Sequence, residues 1–384
     1  MRPLPAALRP RPARTPCGTG FVALCAGLAL YAAAATLIVS LVSSPAFTAR
    51  VPAGPARRYI DEQALEAARV QALAIAAAGE ARSRLGLGLD AEADRYGTGL
   101  IGEAYSGITT TLGQIEAKRS AATPEAAALL VRLLREAGVS SGAVVAVNAS
   151  GSFPGFALAA IAACGALDAE ARLFLSLGSS SWGANNADFN VVDIVSAAAS
   201  AFPPEYDYSI VGVSPGGSDD RGLDMDSELL ESMIARLEAG GLRVSSPSSL
   251  EESVATRAAA LDGDGAAAAL VNIGGNYASS GADLGLSLAT GVVSPGSAEV
   301  PPGPGLMQSF MRARKPVVQL LNVRRLYESR GLVFDAPPWD ARNARVLYRR
   351  TSYALGALLL LPPVALAVVF AARTGRRGRK SEGP

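Results

Sequence analysis

Two uncharged apolar runs, Phe21–Val42 and Tyr353–Ala372, bracket the chain and divide it before any finer pattern is considered. Each is long enough to cross a bilayer as a helix, for which about 20 apolar residues suffice. The second holds Pro362 and Pro363, a pair that a membrane helix accommodates as a kink when neighbours satisfy the freed carbonyls. Arg2, Arg9, Arg11 and Arg14 precede the first run. Arg373, Arg376, Arg377, Arg379 and Lys380 follow the second, opposed only by Glu382. Positive flanks stay on the cytoplasmic side. The expected layout is a basic cytoplasmic tail at 1–20, a span at 21–42, a helical stalk at 43–95, an extracytoplasmic domain at 96–350, a second span at 353–372 and a basic cytoplasmic tail at 373–384. For the first run the alternative is a cleaved signal peptide with its site at Ala46-Phe47-Thr48-Ala49. The run exceeds a signal core of about 7–15 residues, which favours an uncleaved anchor.

The chain has a net charge of +1, and each tail carries a net four positive charges, which leaves −7 on the segment between the spans. Such a segment is a poor sink for polyanions, so no nucleic-acid partner is expected and any anionic ligand must be held locally. The chain has no histidine. This excludes Ser-His-Asp and Cys-His catalysis and histidine-based zinc sites. Cys17, Cys25 and Cys164 are too scattered for a metal cluster, and only Cys164 falls outside the spans and tails, so no disulfide is expected within the domain. No Walker A motif occurs, and no cofactor is expected.

Between the spans the hydrophobic pattern alternates. An Ala-rich helix is predicted over Arg57–Leu85, either standing off the membrane as a stalk or packing on the domain. The Gly/Thr-rich stretch Gly97–Ser120 has no clean period and reads as a long structured loop. Thr123-Pro124 opens a helix that stops at Gly138. Strands are predicted at Ala143–Asn148, Arg172–Leu177, Tyr208–Val213, Ala267–Ile273 and Pro316–Asn322. Helices are predicted at Phe153–Cys164, Ser227–Ala239, Ser248–Leu261, Leu306–Arg314 and Val323–Arg330, with an irregular excursion at Gly281–Gly305. This order argues for an α/β fold with a mostly parallel sheet and flanking helices.

Ligands of such sheets bind beyond the carboxyl ends of the strands. Here those ends are rich in Gly, Ser and Asn. Asn148, Ser150 and Ser152 follow the first strand, with Ser152 expected to cap the next helix. Ser180, Trp182, Asn185 and Asn186 follow the second, Gly216 and Gly217 the third, and Gly274, Gly275 and Asn276 the fourth, with Asn272 near that strand's end. The loop Gly99–Ser120 is expected to fold over these ends, bringing Thr110, Lys118 and Arg119. Ser152, Trp182, Asn185 and Asn276 are expected around one polar pocket suited to a ligand of repeating amides and carboxylates. For each residue taken alone, the competing reading is a turn, a helix cap or a plug at the sheet end. Asp219-Asp220 reads as a solvated turn pair. Lys118 could work with a serine, although nothing in the sequence brings such a pair together.

The stretches GLIGEAYSGITTTLGQIEAKRS (Gly99–Ser120), VVAVNASGSFPGFALA (Val144–Ala159), SLGSSSWGANNADFN (Ser176–Asn190), VNIGGNYASSG (Val271–Gly281) and KPVVQLLNVRRLYESRGL (Lys315–Leu332) resemble the poly-gamma-glutamate system protein family. The resemblance covers 97–334 and implies a membrane-associated accessory protein of poly-gamma-glutamate biosynthesis, with the polymer or its synthase subunits as partners. It assigns no reaction and no catalytic residue. Two readings stand: a non-catalytic subunit held beside the synthase, mildly favoured by composition, and an extracytoplasmic histidine-independent hydrolase or transferase acting on the polymer or a wall component.

Overall fold

The computed structural model describes residues 56–352, apart from 276, 282, 297–299 and 301–302. The expected spans at 21–42 and 353–372 lie outside the described residues, and among the described residues no helix is long and apolar enough to cross a membrane. Tyr59–Arg349 form one compact unit; the other, Met1–Arg58 with Arg350–Pro384, is described only where its chain is extended, at 56–58 and 350–352.

The alternation of strands and helices yields a six-stranded sheet. Its strands are β1 (Val144–Ser150), β2 (Glu170–Ser176), β3 (Tyr208–Ser214), β4 (Ala267–Ile273), β5 (Gly291–Val293) and β6 (Val317–Leu320), in the spatial order β5-β6-β4-β1-β2-β3. All neighbours are parallel except β5, which pairs antiparallel with β6 at one edge. The predicted strands therefore hold, while the excursion after Gly281 contains an edge strand that its Gly/Pro content hides. The main helices are α1 (Glu62–Arg84), α2 (Ile115–Ala121), α3 (Pro124–Glu136), α4 (Pro154–Ala166), α5 (Val191–Ala197), α6 (Ser227–Ala239), α7 (Leu250–Asp262), α8 (Leu306–Arg312) and α9 (Val323–Ser329).

The Ala-rich helix takes the second of its two expected placements: it packs on the domain and is not a stalk. Its buried positions Ala64, Ala67, Ala68, Gln71, Ala74, Ile75 and Ala78 fall at helical spacing and face α3 and α4. Small side chains let the three backbones approach closely. Gln71, fully buried, pins the junction: its Nε2 donates to Gly155 O at 3.0 Å, and its Oε1 accepts from Ala127 N at 2.7 Å, one of the amides that the first turn of α3 leaves open. α4 is apolar all round, with Pro154 through Cys164 buried between the sheet and this helical layer. Gly155 near its start is a contact requirement, because a Cβ there would lie 2.4 Å from Ala121 O. That close approach sets the end of α2 against the start of α4, and so sets Lys118 beside Ser152. Residues 115–120, six of the seven residues of α2, fall in the stretch read as a loop and are helical instead.

Glu125 in the first turn of α3 is buried, and its Oε2 has no hydrogen-bond partner. Burial pushes its carboxyl up to about 7, against partial relief from its own amide and from Thr123. The folded state holds this proton more tightly than the unfolded state. Its contribution to stability is therefore fully present below about pH 4.5, declines as pH rises and is gone once pH passes 7. Relative to Glu125→Gln, the protein is expected to lose on the order of 2 kcal/mol between those limits, read from urea midpoints at pH 4.5 and 8. A constant difference between the two proteins across that range would contradict the assignment.

Candidate functional site

The two faces of the sheet differ along the strands. On the face toward α7 and α8, Ala146, Phe174, Leu270 and Val317 form an apolar layer with Leu306, Phe310 and Met311. Two residues further along each strand, on the same face, the side chains turn polar: Asn148, Ser176, Ser214, Asn272 and Gln319. Arg257 of α7 plugs this layer and is fully buried. Its Nη2 donates to Ser176 Oγ at 2.9 Å, Ser214 Oγ at 2.6 Å and Asp220 Oδ1 at 2.6 Å; its Nη1 donates to Asn148 Oδ1 at 2.5 Å. The guanidinium also lies over the Phe174 ring at 4.5 Å. Asp220 is therefore no solvated turn residue but the buried counter-ion of Arg257. Asn148 and Asn272, expected to meet a ligand, spend their carboxamides here. Asn148 Nδ2 donates to Asn272 Oδ1 at 2.7 Å, and Asn272 Nδ2 donates to Gln319 Oε1 at 2.7 Å. They form a floor, closed by mutual hydrogen bonds.

Above this floor opens the strand-end cleft, in two adjoining lobes. The larger, about 500 Å³, is lined by Thr110, Ser150, Ser152, Gly216, Gly217, Gly275 and Tyr277, with Asp224 the one charged residue among those described. The smaller, about 300 Å³, shares Thr111, Ser152, Gly275 and Leu321 with it and adds Gln114, Lys118, Phe153, Ser180, Asn322 and Arg324. Among the described residues lining the smaller lobe, Lys118 and Arg324 are the charged ones. Gly274, with φ +88°, makes the turn that leads into Gly275. Asn276 lies outside the described residues.

The expected closure of Gly99–Ser120 over the strand ends is found. Thr109–Thr111 pair in parallel with Ser179–Ser180. Lys118 Nζ lies 2.5 Å from Ser180 Oγ, donates to Ser152 O and sits 3.8 Å from the centroid of the Phe153 ring. Burial holds its amine down at about 7. Ser152 does not cap α4. Its Oγ accepts instead from Ser180 N at 3.0 Å, and Phe153 occupies the cap position without a side-chain bond. A Cβ on Gly113 would stand 2.9 Å from Ser180 Oγ and 3.1 Å from Lys118 Cε, so the chain passes directly over this pair.

Four further expected members, Arg119, Trp182, Asn185 and Asn186, lie elsewhere. Arg119, one residue after Lys118, points about 100° around the helix. It binds Asp335 through Nε and Nη2, both at 2.8 Å. Trp182, with φ +64° and its backbone N–H donating to Glu103 O at 2.7 Å, lines a separate cavity of about 340 Å³ with Asn186, Arg82 and Glu103. Asn185 is fully buried and anchors the covering loop. Its Nδ2 donates to Glu103 O and Thr109 Oγ1, both at 2.9 Å, and its Oδ1 accepts from Glu103 N at 2.8 Å. The single pocket expected around Ser152, Trp182 and Asn185 is thus two cavities with Asn185 as a structural pin. A third groove, about 540 Å³, runs beside α1, where its charged residues Glu80 and Arg84 pair with each other.

Arg324, Asp224, Arg257 and Asp220 are the members that sequence reading missed. The signal for the buried pair was present: each central strand carries one polar residue near the end of an apolar run, and five aligned polar residues need a partner. No family model, curated protein or solved structure matches the chain. The six-stranded, mostly parallel α/β domain and the geometry of its cleft are what define it.

Proposed function

We propose that this chain is a membrane-anchored accessory protein of a poly-gamma-glutamate synthesis or export system, and that its strand-end cleft contacts the polymer. The observation that carries this reading is the smaller lobe. It presents Lys118 and Arg324 and, among its described lining residues, no carboxylate, within a segment whose net charge is −7. A γ-linked glutamate chain alternates amides with carboxylates. Arg324 suits the carboxylate, and Gln114, Asn322 and the serine hydroxyls suit the amide. A local basic lobe of this kind is what an anionic ligand requires on an acidic domain.

Binding of γ-linked glutamate oligomers, followed by calorimetry at low salt, tests it. Arg324→Glu is expected to weaken binding at least tenfold, equivalent to about 1.4 kcal/mol. Absence of binding by the unaltered protein would remove the polymer from the account. Anchoring is tested separately. Asp61 N donates to Leu347 O at 2.8 Å, so both ends of the folded unit leave it side by side, which suits a chain anchored at each end. A topology reporter fused after Val51 is expected to read outside and one at Pro384 inside. An outside signal at Pro384 would contradict the two-span arrangement.

A further inference from the structure

We propose that Lys118 and Ser180 form a serine–lysine pair that cleaves an amide or ester carbonyl bound in the smaller lobe of the strand-end cleft. The geometry comes first. Lys118 Nζ is 2.5 Å from Ser180 Oγ, within the range for proton transfer, and both residues line an open lobe of about 300 Å³. The second neighbour of the amine is the carbonyl of Ser152. A neutral amine satisfies both at once: one N–H donates to Ser152 O, and the lone pair accepts the Ser180 hydroxyl proton. Among the described residues lining the lobe there is no carboxylate to hold an ammonium. The ionisable groups around Lys118 are Arg324 from α9 and, on its own helix, Glu116 and Arg119, and Arg119 is taken by Asp335. Burial acts against the charged amine, and the Phe153 face only partly offsets it. α4 begins two residues after Ser152, so the positive end of a 13-residue helix lies at the pair and favours the negative charge that develops on an attacked carbonyl oxygen.

The step balances without an external reagent other than water. Ser180 Oγ bonds to the carbonyl carbon while its proton passes to Lys118 Nζ. The C–N or C–O bond of the substrate breaks, and the leaving group takes that proton from Lys118. Water then attacks the acyl-serine ester and gives a proton to Lys118. The ester bond breaks, Ser180 Oγ takes the proton back, and a carboxylic acid leaves. The substrate class is an acyl chain with a carboxylate close enough to its scissile carbonyl to reach Arg324. Equating that chain with γ-linked polyglutamate rests on the reading above.

The experiment uses the full chain in detergent micelles, exposed to a fluorophosphonate that labels activated serines, with the modified peptide identified by mass spectrometry. Parallel samples receive γ-linked polyglutamate and are assayed for new amino termini. Ser180 is expected to be labelled, with the rate down at least about 100-fold in Lys118→Met and in Lys118→Arg, whose guanidinium cannot act as a base. Melting temperature confirms that each variant is folded, and the result from the unaltered protein stands whether or not a variant folds. No labelling of Ser180 in the folded unaltered protein, or an undiminished rate in a folded Lys118 variant, would overturn the pair. New amino termini produced equally by Ser180→Ala would also overturn it while leaving the polymer reading intact. Labelling without new termini would support the pair and reject the polymer as its substrate.

Discussion

Replacing Arg257 by methionine is expected to lower the unfolding free energy by about 3–5 kcal/mol, the loss typical of removing one partner of a buried ion pair. The side chain is fully buried, and its donors meet Asp220, Ser176, Ser214 and Asn148. Methionine fills the volume but leaves Asp220 as a buried carboxylate retaining only hydroxyl partners, from Ser214 and Ser253. Most of the loss therefore comes from the stranded partner. Adding Asp220→Leu to Arg257→Met should recover part of it, so the double variant loses less than the two single losses added together. Denaturant midpoints of the four proteins, at unchanged slope, measure this. Strict additivity would show that the two groups do not form the closed unit described here.

Asn185→Ala is expected to cost about 3 kcal/mol and to loosen the covering loop before the sheet. The carboxamide bridges Glu103 N, Glu103 O and Thr109 Oγ1, and truncation leaves these polar groups without partners in a buried place. Gly102 must pass this side chain so closely that a Cβ would stand 2.1 Å from Asn185 Oδ1, so water has little room to replace it. Because Thr109–Thr111 pair with Ser179–Ser180, freeing the loop also loosens the seat of Lys118. Limited proteolysis should show new cleavage within 99–113 under conditions that leave the unaltered protein intact. Protection equal to that of the unaltered protein would assign Asn185 no anchoring role.

Much of the architecture was legible because its signals are local. AVVAVN and AAALVNI are short apolar runs closed by turn residues, and they become β1 and β4. The carboxyl ends of parallel strands share one edge, so the loops bearing Ser152, Ser180, Gly216 and Gly275 meet there. The direction of individual side chains was not legible. Lys118 and Arg119 are adjacent in sequence and chemically alike, yet only the helical turn of α2 decides that one enters the cleft and the other binds Asp335. Trp182 sits within three residues of Asn185, but its left-handed backbone directs it to the other cavity. Arg257 lies in an Ala-rich helix without distinguishing neighbours. Only its register against the polar residues of three strands and the turn at Asp220 makes it a core residue.

The central claim is that a buried, neutral lysine activates Ser180, and the pH profile of Ser180 labelling tests it most directly. Burial holds Lys118 at about 7, so the fraction of free amine, and with it the labelling rate, should rise as pH increases through about 7 and level off above 8. The profile should disappear in Lys118→Met. A rate that is independent of pH, or that climbs only toward about pH 10, where an ordinary lysine loses its proton, would contradict the account.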